Sequence, residues 1–430
     1  MKHLDYNNLL TDCQHGFISG RSCVTQLLTV LDHWTEVIDR RGVIDCIYLD
    51  FSKAFDSVPH RRLIQKLSSY NIGGSLLRWL ECFLKGRNQR VSINGILSII
   101  AAVISGIPQG SVLGPILFVI FINDMPEVVH AVIQMFADDT KLYREIRSAQ
   151  DGDQLQQDLD ALEKWSQDWQ LKFNADKCKV MHIGEQREPH SYYMTKDDIP
   201  VKLEITKLEK DLGVYVDPTL TFSAHCEQQV NKANRILGLI RRSYSYIDGE
   251  SLLRLFTSLV RPYLEYANPV WYPIYKKDST LLENVQRRAT KLIPKLRDLS
   301  YEKRLESLKL HSLQYRRVRG DMIEIFKHTT GIYKVEANYI ILDNSITRGH
   351  DKKLKKQRAS KSVRCNFLTL RATNSWNSLP QHVIAAPSLN AFKSRLDKHW
   401  DKYRYSLQSV HDIFKADGSV HDRPNLPTGF

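Results

Sequence analysis

Val132-Ile133-Gln134-Met135-Phe136-Ala137-Asp138-Asp139-Thr140-Lys141-Leu142-Tyr143 sets two neighbouring carboxylates between two short runs of strand-forming residues. Val132 to Phe136 predicts a strand, Ala137-Asp138-Asp139-Thr140 a tight turn, and Lys141-Leu142-Tyr143 the partner strand. Asp is common in turns because its side chain bonds nearby backbone groups, so an acidic turn alone asks for no function. Two adjacent carboxylates withdrawn from water are different: they repel, and ionising both is costly unless a cation neutralises them. Mg²⁺ is the natural candidate, being a hard ion that takes oxygen ligands.

Upstream, Val43 to Asp50 predicts a buried central strand, with Ile44, Cys46, Ile47, Tyr48 and Leu49 as its apolar or β-favouring residues and Asp50 at its end. A helix is expected from Pro59 to Tyr70, capped by Ser57 and stopped by Gly73-Gly74, and a second from Leu76 to Lys85. Asn94-Gly95 between alternating apolar residues predicts a hairpin over Val91 to Ile96. Gly106 to Pro115 reads as a glycine-rich turn opening a buried helix, Ile116 to Asn123. Downstream, Leu155, Leu159, Leu162, Trp165 and Trp169 recur at helical spacing, predicting a helix over Asp153 to Lys172. The strand Val180 to Ile183 follows, and from Ser223 the pattern is mostly helical, with Arg235, Arg241 and Arg242 on one long helix. The order predicts an α+β domain with an antiparallel sheet, followed by an all-α part. It is not the alternating order of a doubly wound sheet.

Composition fits a globular chain of two to four domains: 430 residues, 42% hydrophobic and 25% charged. The net charge of +13 is unevenly spread, with residues 1–230 at −6 and residues 231–430 at +19. A basic second half suits a protein that holds a phosphate backbone. The run Lys352-Lys353-Leu354-Lys355-Lys356-Gln357-Arg358 reads as a solvated, mobile loop. Met1-Lys2-His3-Leu4-Asp5 carries no secretory pattern, and the longest apolar run, Val112 to Ile122, falls short of the roughly 18 residues of a membrane span, so no membrane association is expected. Seven scattered cysteines without zinc-finger spacing predict free thiols in a reducing compartment.

Five stretches, in order, resemble the motifs of reverse transcriptases. Leu49-Asp50-Phe51-Ser52-Lys53-Ala54-Phe55-Asp56 is similar to the first catalytic motif, and Gly106-Ile107-Pro108-Gln109-Gly110-Ser111-Val112-Leu113-Gly114-Pro115 to the second. Phe136-Ala137-Asp138-Asp139 resembles the metal-binding hairpin, Asn174-Ala175-Asp176-Lys177 the motif after it, and Leu212-Gly213-Val214 the primer-grip turn. Gln14-His15-Gly16-Phe17 with Gly20-Arg21-Ser22, Arg261 to Tyr266 with Trp271, Glu283 to Ala289, and Trp376 to Pro380 resemble the non-LTR, jockey-like group in particular. The stretch Arg261 to Trp271 sets the chain apart from group II intron maturases.

The resemblance implies an RNA-directed DNA polymerase that adds deoxynucleoside triphosphates to a DNA primer or target DNA on an RNA template. It implies two Mg²⁺ ions, with Mn²⁺ as an alternative, held by Asp50 and Asp138 with Asp139 in support. The Phe51 carbonyl would complete one metal shell, and Phe55 would be the steric gate against a ribose 2′-OH. Gln109 and Gly110 would lie against nucleotide and template, Lys177 would act as general acid, and Arg21 would contact the triphosphate. Leu212 and Gly213 would form the primer grip. Residues 1–217 would be partial fingers and palm, 218–330 a helical thumb and extension, and 331–430 a basic, mostly α region. Tyr244, Tyr246, Tyr263, Tyr266, Trp271 and Tyr272 interleave with the basic residues there, with core packing the expected use of most. The protein would work inside the cell, in the nucleus, the cytoplasm or both, as a ribonucleoprotein.

Two departures accompany the resemblance. The family carries a further fingers segment with an Arg-Pro-Ile-Ser-type motif and an upstream endonuclease, neither of which is in this sequence, so an N-terminally truncated copy is expected. The family's basic residue between Phe17 and Gly20 is replaced by Ile18-Ser19. Beside the active polymerase stands a second expectation, a catalytically silent remnant that still binds nucleic acid.

Overall fold

The computed structural model describes residues 2–185, 188–244, 246–343 and 349–408. The chain divides into two compact units, Met1–Leu212 and Gly213–Phe430.

The first unit is built on a five-stranded sheet. Its strands are β1 (Ile44–Leu49), β2 (Val132–Phe136), β3 (Asp139–Glu145), β4 (Lys179–Ile183) and β5 (Glu204–Ile205), in the order β5-β4-β1-β3-β2. β1 lies at the centre because its side chains can be buried on both faces: Ile44, Cys46 and Ile47 are fully shielded. It pairs antiparallel with β3, matching Leu49 to Thr140, and with β4, matching Tyr48 to Lys179. The sheet is not wholly antiparallel as expected, since β5 runs parallel to β4. The chain leaves β4, makes the hairpin of Tyr193–Lys196 with Ile199–Lys202, and returns to the start of β4, which turns it into the same direction.

Helices pack around this sheet: α1 (Cys23–Asp39), α2 (His60–Ser69), α3 (Gly74–Leu84), α4 (Gly114–Phe121) and α5 (Ala149–Trp169). α1 is capped reciprocally by Ser22 and Thr25 and buries Leu27, Leu28, Leu31 and Trp34. α2 starts after Pro59 rather than at a Ser57 cap; Ser57 ends a short turn, Ala54–Ser57, and its hydroxyl bonds back to the Ser52 carbonyl at 3.1 Å. It stops before Asn71, whose φ of 57° breaks the helix ahead of the two glycines. α5 begins earlier than Asp153 because Ser148 and Asp151 form a capping box. It lays Leu155, Leu159, Leu162 and Trp165 into the core. Asn94 and Gly95, at φ 50° and 82°, make the expected hairpin between Ser92–Ile93 and Ile96–Leu97.

Gly213–Phe430 is mostly helical where described, apart from the short strand Val214–Val216, with α6 (Ser223–Ser243), α7 (Lys276–Thr290) and α8 (Leu313–Thr329) as its longer elements. Its fully buried side chains include Trp271, Trp376 and Trp400. Glu283 of α7 receives the Leu313 and Gln314 N–H groups, both at 3.2 Å, at the start of α8. Arg371 and Asp321 form a shielded bidentate pair at 2.6 and 2.9 Å. Of the aromatic residues expected mostly in the core, Trp271 is buried but Tyr244, Tyr246, Tyr263 and Tyr266 are exposed. The basic run at 352–358 is a loop, yet Leu354 is buried and exchanges two 2.8 Å hydrogen bonds with Asn377. No helix among the described residues is long and apolar enough to cross a membrane.

Candidate active site

β2 and β3 form a two-residue hairpin: Phe136 pairs with Asp139, and Ala137 and Asp138 make the turn. The next rung inward sets Leu49 of β1 against Thr140 of β3, so Asp50 emerges from the sheet level with the hairpin tip. Three carboxylates from two neighbouring strands thus converge on one edge. Their mutual effect is visible in their acidities. Burial first, and then Asp50, raise the Asp138 carboxyl above the usual range. Asp139 is pushed up to about 6 by lost hydration and by the carboxylates of Asp138 and Asp211, although one side of it still meets solvent.

Asp50 is fixed from the β4 side by the stretch leading into that strand. Its carbonyl accepts the Asn174 N–H at 2.7 Å, and its own N–H donates to Cys178 Sγ at 3.4 Å. Lys177 Nζ stands 3.3 Å from Asp50 Oδ1. Phe51 faces Phe173 in an antiparallel bridge whose hydrogen bonds belong to the residues on either side, with Ser52 N–H bonding the Lys172 carbonyl at 2.8 Å. In such a pair the backbone groups of Phe51 itself turn the other way, towards the β3 side where the hairpin lies. The Phe51 ring stacks on Phe173 at 4.6 Å.

Phe55 stands one turn beyond Asp50 and is half-buried, its ring stacked on Phe118 of α4 at 4.4 Å. Its carbonyl receives the Ile107 N–H at 2.8 Å, which ties the Gly106–Pro115 turn to the first motif. Gln109 is exposed and donates from Nε2 to Asp56 Oδ1 at 2.8 Å. Gly110 has open space around its α-carbon, so its φ of 80° is what calls for glycine. Leu212 and Gly213 both take positive φ, 45° and 87°. Arg21 donates to the Thr11, Asp12 and Gln14 carbonyls at 3.1, 3.0 and 2.7 Å and pairs with Asp12 Oδ1 at 2.6 Å.

Residues 1–199 match the family model described as reverse transcriptase (RNA-dependent DNA polymerase). This stretch is a reverse-transcriptase domain. The chain is 25% identical to a probable RNA-directed DNA polymerase from transposon X-element of Drosophila melanogaster, over 67% of this chain and 32% of that protein. It is 30% identical to the RNA-directed DNA polymerase from mobile element jockey of the same organism, over 52% of this chain and 26% of that protein. The chain therefore spans about a third of the length of the curated relatives it matches. Among solved structures, a Candida albicans telomerase in complex with a telomeric RNA fragment overlays at TM-score 0.35 and 12% identity, covering 77% of this chain and 56% of that one.

Reverse transcriptases as a family use divalent metal ions, and the donor set of this domain fits such an ion. The groups are hard carboxylate oxygens, and burial, helped by neighbouring carboxylates, makes Asp138 and Asp139 hold protons more tightly than normal. No group of three or more His, Cys, Asp or Glu among the described residues is already gathered as a cage.

Three supports of the candidate site were not given that role by the sequence. Lys141 of β3 and Asp211 form an ion pair with 2% and 4% of their side chains exposed, and both charges are felt by Asp139. Cys178 holds the Asp50 backbone, and only its place after the Asn174–Lys177 motif hinted at a role. Gln14 reaches the hairpin turn, its Oε1 accepting the Ala137 N–H at 2.8 Å.

Proposed function

We propose that this chain is the polymerase portion of a non-LTR retrotransposon protein, extending a DNA primer on an RNA template with deoxynucleoside triphosphates. The observation that carries the reading is the convergence of Asp50 with Asp138 and Asp139, set by the Leu49–Thr140 register of neighbouring strands. The sheet would be the palm, the flanking elements of the first unit part of the fingers, and the helices after 218 the thumb and its extension.

Asp50 and Asp138 would hold two Mg²⁺ ions, with the Phe51 carbonyl and Asp139 in support. When bound, such ions acidify the attacking 3′-hydroxyl and balance charge on the departing pyrophosphate. The chain's own groups do the rest. Asp50 now faces Lys177, and turning its carboxylate to a cation would free that ammonium to give a proton to pyrophosphate. Phe55 is braced by Phe118 and cannot retreat easily, as a gate against a 2′-OH requires. Gln109 and Gly110 offer an exposed amide and an unobstructed backbone to nucleotide and template. Exposed Lys and Arg of the helical unit would grip the phosphate backbone without reading sequence.

Primer extension on an RNA template with Mg²⁺ and deoxynucleotides tests the reading. The purified chain extends, and Asp138→Ala abolishes extension while leaving salt-sensitive primer–template binding intact. Binding without extension by the parent chain, and by a longer chain that carries a fingers segment of the family, would refute the polymerase and favour a silent nucleic-acid-binding remnant.

A further inference from the structure

The Gln14-His15-Gly16-Phe17 stretch takes no part in the chemistry above, yet it is built onto the metal-binding hairpin. Gln14 makes a parallel bridge with Met135 on the free edge of β2. The Met135 N–H bonds the Cys13 carbonyl, and the His15 N–H bonds the Met135 carbonyl, both at 2.8 Å. Running parallel to β2, the segment reaches the hairpin tip as β2 ends. There Gln14 Oε1 accepts two backbone N–H groups, from Ala137 at 2.8 Å and from Gly16 at 2.7 Å. Gln14 is 1% exposed.

The turn needs holding. Ala137 takes φ 54°, a conformation that its β-carbon disfavours, and it immediately precedes Asp138. Gly16 lies so close that a β-carbon there would fall 2.4 Å from the Ala137 nitrogen. The segment is itself anchored: His15 Nδ1 meets Thr25 Oγ1 of the α1 cap at 2.9 Å, and Arg21 bonds the Gln14 carbonyl.

We propose that Gln14 is a positioning residue for the metal site. Its side-chain oxygen, with Gly16 packed beneath, locks Ala137 in the left-handed conformation that aims the Asp138 carboxylate. The inference rests on the polymerase reading for its use in catalysis, but it concerns the geometry of Asp138 and can be read without turnover.

The test is Mn²⁺ titration of the full chain by electron paramagnetic resonance, alongside primer extension and thermal melting. Gln14→Met keeps the volume and removes the acceptor; Gln14→Asn shortens the arm and serves if the first variant folds poorly. Either raises the Mn²⁺ midpoint and lowers kcat by about tenfold, the effect of losing a group that orients a metal ligand. Primer–template affinity stays unchanged. Adding Ala137→Gly recovers part of the lost metal affinity, because glycine adopts positive φ without strain; a residue that only filled the core would show no such rescue. A folded Gln14 variant with the parental Mn²⁺ midpoint, or an absence of rescue, overturns the proposal while leaving the polymerase standing. Gln14-dependent Mn²⁺ binding with no primer extension, by the parent chain and by the longer chain alike, sinks the polymerase reading and leaves the clamp. A parent chain that binds no Mn²⁺ overturns both.

Discussion

Asp211→Asn is expected to be among the most damaging single substitutions in the sheet-bearing unit. Asp211 neutralises Lys141, and neither side chain has more than 4% of its surface in solvent. Removing the carboxylate leaves an ammonium in the interior without its counter-charge, which costs about 3–5 kcal/mol. For a unit of this size that is roughly 6–20 °C of melting temperature. The charge is what matters rather than the atoms, so replacing both partners, Lys141→Met with Asp211→Leu, loses far less than either single variant. The same pair bears on the active site, since Asp211 raises the Asp139 pKa and Lys141 lowers it. Asp211→Asn therefore moves Asp139 titration below about 6 and Lys141→Met moves it above, while the double variant lies between. Urea unfolding at constant m-value gives the stabilities, and carboxyl-carbon NMR gives the titrations. An Asp211→Asn loss under about 1 kcal/mol, or a double variant as unstable as the worse single, would refute the buried-pair account.

Asp139→Asn should raise the melting temperature of the chain in chelator at pH 8 and leave it unchanged near pH 4. The folded-state value of about 6 lies above the ordinary 3.8, so this carboxyl favours folding when protonated and loses that contribution as pH rises through 6. Partial exposure keeps the gain below about 1 kcal/mol, and a lower melting temperature at pH 8 would contradict the sign. Phe55→Val should admit ribonucleotides in extension assays and lower stability by about 1–2 kcal/mol through the lost stack on Phe118. Unchanged sugar discrimination would remove Phe55 from the gate and leave it a core aromatic.

The central strand and the acidic hairpin were legible because their signals are local. A largely apolar run ending in Asp50, and two short runs around Asp138-Asp139, leave little choice of structure. Helix α5 was found from its period of apolar residues, though its start was misjudged because the Ser148–Asp151 capping box lies outside that period. Helix α1 was not anticipated, although Ser22 and Thr25 are a capping pair that local inspection can find. The parallel strand β5 was missed for another reason: Glu204 and Ile205 carry no distinctive pattern, and their direction is set by the hairpin before them. Least legible were the supports of the site. Gln14 and Ala137 are 123 residues apart, and Lys141 and Asp211 are 70 apart. A buried Lys reads in sequence like any surface Lys, and only the fold shows where its charge goes.

These supports share a logic. Carboxylates that must stand together repel, so each needs a hold that does not depend on the others. Asp50 is fixed through its backbone by Asn174 and Cys178 on the β4 side of β1. Asp138 is aimed from the opposite edge of the sheet, where Gln14 grips the residue before it. Asp139 rides on β3 ahead of Lys141, whose charge offsets part of the repulsion it feels. The strand order makes this possible: β1 and β3 are neighbours, and their other flanks are paired with different strands, β4 and β2. Were the carboxylates carried on a single turn, one displacement would move all of them. Divided among independently anchored elements, the site keeps its spacing against its own repulsion before any cation arrives.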